Sequence, residues 1–406
     1  MAYELGRNDL EPLLLGGCFF GSGGGGTLLS ARHLAAHFHR GDYYPSERVR
    51  VVTVAEAVNG DSVMLAYMGA PEAIADCIYP DGPVRAVQLV QARLAGEGRE
   101  LAYVVPPESG ALGFVVACLV AARLGLAVID ADGAGRAVPS LPMLTFAAAG
   151  VIPRPAFLVS QAGLSVELNV TPQEDPGNAA GYSNDAAVIV EQMMRPIVAD
   201  PQFGEFGGLA MWIMAPDSLG KALPIQGTLS RALTLGRALQ GGKIETAQAM
   251  IAFLLHHFDL TAYTISGPGH FVSADVSTAG GFDIGKVNIR DGDARISVIY
   301  ENESLLAWDS RLPRPLAMAP DSIAYFVEGP GPSVFSNGDV VQEDGTISPE
   351  LKQRKVTLLA WQAESPLREA GGLNLWSFMQ LLETLGYMGP YRSVGQNQAE
   401  RLEGAV

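Results

Sequence analysis

Short apolar runs and segments with apolar residues every three or four positions alternate along this chain, and the balance between the two patterns shifts near residue 165. In the first part, Leu13 to Phe20 is an unbroken apolar run and reads as a strand, Thr27 to His39 has helical spacing, and Val49 to Ala55 reads as a second strand. Pro71 to Cys77 looks like a helix start, Leu101 to Val105 a strand, Gly113 to Leu124 a helix and Leu126 to Asp130 a strand. Alternation of this kind predicts a layered α/β domain with a largely parallel sheet, over about residues 1–165. Ligands on such sheets bind beyond the carboxyl ends of the strands, so the strand ends are where chemistry is sought.

The remainder, residues 166–406, follows two further patterns. Asn178 to Phe258 reads mostly as helix, with Ala186 to Ile197, Thr228 to Leu239 and Ile244 to His256 carrying the clearest helical spacing. From about residue 262 to 365, runs such as Ala262 to Ser266, His270 to Val276, Gly285 to Ile289, Arg295 to Tyr300 and Ile323 to Val327 are broken by Gly, Asp, Asn and Pro. That pattern predicts antiparallel strands in a small β-barrel-like domain or sandwich. The strand Lys355 to Trp361, a last helix from Trp376 to Leu385 and a tail complete the chain.

Composition narrows the class of partner. With 48% hydrophobic and 17% charged residues the chain can bury substantial cores, and no uncharged stretch is free of the glycines and prolines that disqualify it as a membrane span. The first residues have no signal-like apolar stretch, which makes the cytoplasm the expected location. A net charge of −16 disfavours nucleic acid and anionic membrane surfaces, leaving a small molecule or a protein as partner and a homo-oligomer as an open option. Three widely spaced cysteines, Cys18, Cys77 and Cys118, form neither a disulfide framework nor a CxxC metal motif. They read as small buried hydrophobes, with Cys18 kept in view because it lies three residues before a glycine turn.

That turn, GSGGGG at Gly21 to Gly26, satisfies GxGxxG, with apolar residues before it and a helix after it. The acid that would hold a ribose should follow by roughly 20 residues, whereas Glu56 lies well beyond that, and no Gly-Lys-Ser/Thr follows for a Walker loop. Three readings stay open: a structural turn, a dinucleotide loop, or freed amides of Ser22, Gly23, Gly24 and Gly25 holding an anionic group or a developing oxyanion. In VIDADGAGRAVP, Asp130 and Asp132 point the same way at a strand end, where they repel, share a proton, bind a cation or pair with Arg136. Pairing with Arg136 is the expected outcome, as a pocket element or as a structural network.

Glu108, in PPESG between a strand and a helix, reads either as an acid favoured by the helix dipole or as a general base raised by burial. In QGTLSRAL, Thr228 or Ser230 caps a helix, and Arg231 sits near the positive helix start, where an anionic partner such as a substrate carboxylate would offset it. His33 and His37 share a helical face, but no third ligand or HExxH glutamate accompanies them, so no metal and no other cofactor is assigned. No GxSxG elbow is present.

The chain resembles the S-methyl thiohydantoin desulfurase-like family, long described as a domain of unknown function and associated with hydantoinase/oxoprolinase proteins. The resemblance rests on GSGGGG, YMGAP at Tyr67 to Pro71, PPESG at Pro106 to Gly110, VIDADGAGRAVP at Val128 to Pro139, GTLSRAL at Gly227 to Leu233, GGFDIG at Gly280 to Gly285, YENES at Tyr300 to Ser304 and APDSI at Ala319 to Ile323, in the family's order. It implies hydrolytic chemistry on a small cyclic amide or ureide of the thiohydantoin or hydantoin type. Glu108, Asp130 and Asp132 would be the catalytic carboxyls; Ser22, Gly23, Gly24, Gly25, Arg136, Thr228, Ser230 and Arg231 would bind the substrate. Ser140, His270 and Ser277 depart from the family's pattern, with loss of an acid and two basic groups as the expected consequence for the pocket. A non-catalytic or ligand-binding accessory of a hydantoinase-like enzyme is the alternative, with a dinucleotide-dependent oxidoreductase third.

Overall fold

The computed structural model describes residues 1–39, 41–69, 74, 77–171, 178–279, 282–331 and 333–403. The first sheet has eight strands in the spatial order β1 (Tyr3–Gly6), β2 (Arg48–Val52), β5 (Ala127–Ile129), β4 (Leu101–Val105), β3 (Asp61–Gly69), β9 (Phe206–Met214), β7 (Ala156–Ser160) and β8 (Ser165–Leu168). The adjacent strands β2, β5, β4 and β3 are mutually parallel, while the remaining pairs are antiparallel. Val51, Val104, Val128 and Ile129 are fully buried, as expected of parallel strands covered on both faces. A two-stranded ribbon, β6 (Ala131–Asp132) with β10 (Ile225–Gln226), extends beyond the end of β5.

The second sheet is antiparallel throughout, in the order β15 (Ala317–Met318), β14 (Glu303–Asp309), β13 (Ala294–Glu301), β12 (Phe282–Asp291), β11 (Ala262–Ala279), β18 (Lys355–Trp361), β16 (Ser322–Val327) and β17 (Val334–Phe335). On β13, Ala294, Ile296, Val298 and Tyr300 are buried while the residues between them are more exposed, the period of two expected for one covered face. The expected small barrel is not what forms: among the described residues this is an open sheet, whose two-residue edge strands β15 and β17 do not pair with each other.

Leu13 to Phe20, expected as a strand, is the second half of helix α1 (Arg7–Phe20). An apolar run reads as a strand or as an all-round buried helix with equal ease, and here every residue from Pro12 to Phe20 is buried. The helix is accommodated by glycine: a methyl group on Gly16 would overlap the Ala232 carbonyl, and one on Gly236 the Pro12 carbonyl. Thus α1 and α6 (Thr228–Gln240) cross with their backbones in contact. Phe19 then stacks on Trp361 of β18, centroids 4.8 Å apart, joining α1 to the second sheet.

Helix α2 (Leu28–Ala36) starts where expected, capped by the Thr27 hydroxyl, which accepts from the Ser30 amide at 3.1 Å. Helices α3 (Asp81–Gly96), α4 (Ala111–Leu124), α5 (Ala179–Val198), α7 (Ala247–Phe258) and α8 (Leu373–Thr384) also form. The mostly helical stretch expected from Asn178 to Phe258 additionally contains β9, a run of nine residues that enters the first sheet between β3 and β7. The helix start expected over Pro71 to Cys77 lies outside the described residues apart from Ile74 and Cys77, as do Gly280 and Gly281 of GGFDIG. No helix among the described residues is long and apolar enough to cross a membrane.

Candidate active site

A cavity of about 620 Å³ opens where the ends of β3 and β4 meet the second sheet. Its polar wall comes from Gly23 to Gly26, Glu108, Asn302, Glu303, Ser336 and Asn337. The site is therefore built at the carboxyl ends of parallel strands, where α/β sheets place ligands, but it is completed by residues from far along the chain.

The glycine loop is laced to the second sheet by backbone. Ser22 is held in the left-handed region (φ 51°) because its hydroxyl accepts from the Ile323 amide at 2.9 Å and its carbonyl from the Ser304 amide at 2.8 Å. The Gly23 carbonyl accepts from the Asn337 amide at 2.6 Å, and the Gly25 carbonyl from Leu112 at the start of α4, at 3.0 Å. Ser22 is consequently sealed in the interior, whereas Gly23, Gly24 and Gly25 line the cavity. The Gly25 amide donates to the carboxylate of Glu303.

Glu108 follows β4 and accepts from the Val138 amide at 2.7 Å. Burial, together with the neighbouring Glu303 and Asp132, pushes its carboxyl well above the usual range, against the opposing Val138 bond and Arg136 charge. Glu303 is buried at the tight β13–β14 connection, one of its oxygens is without a hydrogen-bond partner, and burial raises it also. Two carboxyls thus face one cavity in an environment that favours their neutral forms and cannot comfortably hold two charges.

Arg136 lies behind them, fully buried, and does not pair with Asp130 or Asp132 as expected. Its guanidinium donates to the carbonyls of Ala137 (2.9 Å), Ser304 (3.0 Å), Pro320 (3.0 Å) and Asp321 (2.7 Å). Burial pushes it down to about 10, opposed by the charges of Glu303, Asp321 and Glu108. The reason is geometric: a rigid five-donor fork satisfies several carbonyls at once where an aspartate would satisfy two donors.

The two aspartates instead satisfy backbone amides. Asp132 accepts from Ala134 (2.9 Å), Gly135 (2.5 Å) and the Ser109 hydroxyl (2.7 Å); burial raises its carboxyl despite these bonds. Asp130 accepts from the Leu229 and Ser230 amides at 2.9 and 3.1 Å, and the Ser230 hydroxyl bonds to it as well. It is a cap for α6 supplied from across the fold. Thr228 is buried beside Asp132, and Arg231 is paired with Glu364 at 2.7 Å, so the anionic partner anticipated for it is a protein carboxylate. Asp130, Asp132, Arg136, Thr228, Ser230 and Arg231 do not line the cavity; they buttress it.

Several lining residues escaped the sequence reading. Glu303 sits in YENES, a motif quoted above for resemblance without a role. Glu191 and Arg195 of α5 form a pair at 2.6 Å, and Glu191 also accepts from the Leu141 amide (3.1 Å) and from the Ser140 hydroxyl. Ser140, a departure from the family's pattern, therefore lines the cavity with a carboxylate at its side. His270 and Ser277 are exposed on β11 and line nothing, while Val276 and Thr278 do. Cys18 is buried in the core, its thiol pushed well up by burial, away from the cavity. His33 and His37 have ring centroids 5.1 Å apart, and among the described residues no group of three His, Cys, Asp or Glu is placed to hold a metal ion.

Comparison with known proteins covers nearly the whole chain. Residues 8–170 match the family described as S-Me-THD-like, N-terminal domain, and residues 184–390 match S-Me-THD-like, C-terminal domain. The crystal structure of a protein from Chromobacterium violaceum is similar at 58% identity, covering 96% of this chain and 99% of that one, with a TM-score of 0.89. No curated protein matches the chain.

Proposed function

Because the chain belongs to the S-Me-THD-like family along nearly its full length, we propose that it is a hydrolase of small cyclic amide or ureide rings of the thiohydantoin type, with Glu108 and Glu303 as its acid/base pair. The observation that carries this reading is the placement of these two raised carboxyls on one cavity, next to the glycine loop. Paired titratable groups whose environment keeps one protonated and lets the other ionise are the usual means of running acid and base steps together.

In the proposed reaction, the ionised member takes a proton from water as its oxygen adds to the ring's amidine carbon. The neutral member protonates the ring nitrogen, the carbon–sulfur bond then breaks, and the methylthio group leaves as the thiol, carrying the remaining proton of the added hydroxyl. The ring keeps the oxygen as a carbonyl. The glycine loop acts through its backbone, the Gly25 amide holding the Glu303 carboxyl beside the reacting atoms. Asp132 acts at one remove, fixing Ser109 next to Glu108.

The test is release of methanethiol from 5-substituted S-methyl thiohydantoins by the full chain. Glu108→Gln and Glu303→Gln are each expected to lower kcat by about 10²–10⁴-fold while ligand-induced thermal stabilisation persists. Full turnover in both variants would overturn the assignment. No turnover and no stabilisation by any ring, with co-purification of a hydantoinase-like enzyme, would favour an accessory role instead.

A further inference from the structure

A five-membered ring seated against Glu108 and Glu303 leaves most of the 620 Å³ cavity unfilled, since pockets of roughly 300–1,000 Å³ suit drug-sized ligands. The remaining space has a wall that is apolar but for the Tyr67 hydroxyl, which is buried without a hydrogen-bond partner among the described residues. Leu112 and Val116, one turn apart on α4, line it together with Ile74 and the ring of Tyr67 at the end of β3. Leu112, Val116 and Ile74 belong to one continuous core against which Tyr67 packs, and Phe206 holds the Tyr67 ring at a centroid distance of 5.8 Å.

The acidic side chains facing the cavity select against one class of occupant. Glu108, Glu191, Glu205, Asp283, Glu303 and Glu343 all line it, and among the described lining residues the one basic side chain is Arg195. Arg195 is bound to Glu191 at 2.6 Å and lies over the Phe282 ring at 3.6 Å. An anionic substituent would be desolvated among carboxyl groups facing a cation already engaged.

We propose, resting on the ring-hydrolysis reading above, that the substrate's ring carries a bulky, uncharged apolar substituent seated between Leu112, Val116 and Tyr67, and that acidic substituents are rejected. The ring end of the cavity supplies chemistry; the apolar end supplies most of the contact area and sets specificity.

Calorimetric titration of the full chain with four probes tests this: 5-methylhydantoin, 5-benzylhydantoin, 5-(2-carboxyethyl)hydantoin and the open-chain N-acetylphenylalanine methylamide. The benzyl ring compound is expected to bind at least about tenfold more tightly than the methyl compound, and the carboxyethyl compound more weakly than either. Val116→Phe and Leu112→Phe, each checked by thermal melting, should lower the benzyl-to-methyl affinity ratio to near one. Equal affinity for benzyl and methyl, or tightest binding of the carboxyethyl compound, overturns the apolar compartment and leaves ring hydrolysis standing. Equal affinity for the open-chain amide and 5-benzylhydantoin keeps the compartment and overturns the ring reading. Failure of all four probes to bind overturns both.

Discussion

The carboxylate of Glu303 rests on the backbone of Gly24 so closely that a methyl group on Gly24 would overlap Oε1. One partner belongs to the first sheet's glycine loop, the other to a hairpin of the second sheet, so this contact is where the two sheets make the site together.

Gly24→Ala should displace Glu303. Gly24 is not among the glycines with positive φ, so the effect is steric rather than a matter of backbone conformation. A stability loss of about 1–3 kcal/mol is expected, with turnover falling toward that of Glu303→Gln. Urea unfolding and thiol release measure the two; undiminished turnover would detach Glu303 from the chemistry.

Stability should decline as pH rises above about 4.3, the ordinary glutamate value. Glu108 and Glu303 are raised in the fold, so the folded state holds protons that the unfolded chain releases, and unfolding becomes easier until the folded groups themselves ionise. Asp132, Asp321 and Asp339 are raised by burial too and act with the same sign. Each raised group contributes a loss of about 1.4 kcal/mol per pH unit within its window. Chemical denaturation from pH 4 to 8 should show this slope, and Glu108→Gln with Glu303→Gln should flatten it. A slope identical in the double variant would contradict the raised carboxyls.

Arg136→Met should cost about 3–5 kcal/mol, because it leaves buried carbonyls of Ser304, Pro320 and Asp321 without these donors and removes the positive charge that most favours an ionised Glu303. Arg136→Lys keeps a charge but not the fork, and an intermediate loss is expected. Equal stability of lysine and wild type in guanidinium titrations would show that charge alone matters.

Asp130→Ala should lower stability by about 0.5–2 kcal/mol, the range for losing a helix N-cap, since its oxygens hold the start of α6. Per folded molecule, turnover should stay near wild type. A hundredfold fall in kcat without a drop in melting temperature would instead place Asp130 in the chemistry.

Much of the fold was legible locally. Leu101–Val105 and Lys355–Trp361 form as the strands their composition dictates, and Thr27 caps its helix because the capping hydroxyl and the amide it serves lie three residues apart. Glu108 was legible as a candidate because strand, turn and helix stand next to it in sequence. Where the deciding contact was distant, local pattern failed: Leu13 to Phe20 packs as a helix against α6, Gly16 meeting the backbone of Ala232, and β9 is a strand because β3 and β7 flank it.

By itself, then, the sequence determined the family, the alternation of elements and the glycine loop as a place of close backbone approach. Only the tertiary structure decided what each polar group does. Asp130, Asp132 and Arg136 lie two to six residues apart, and their chain proximity suggested a mutual network. Burial instead obliges each to satisfy the donors or carbonyls of distant segments. The same requirement brings Glu303 onto the glycine loop opposite Glu108, a pairing that no local spacing encodes.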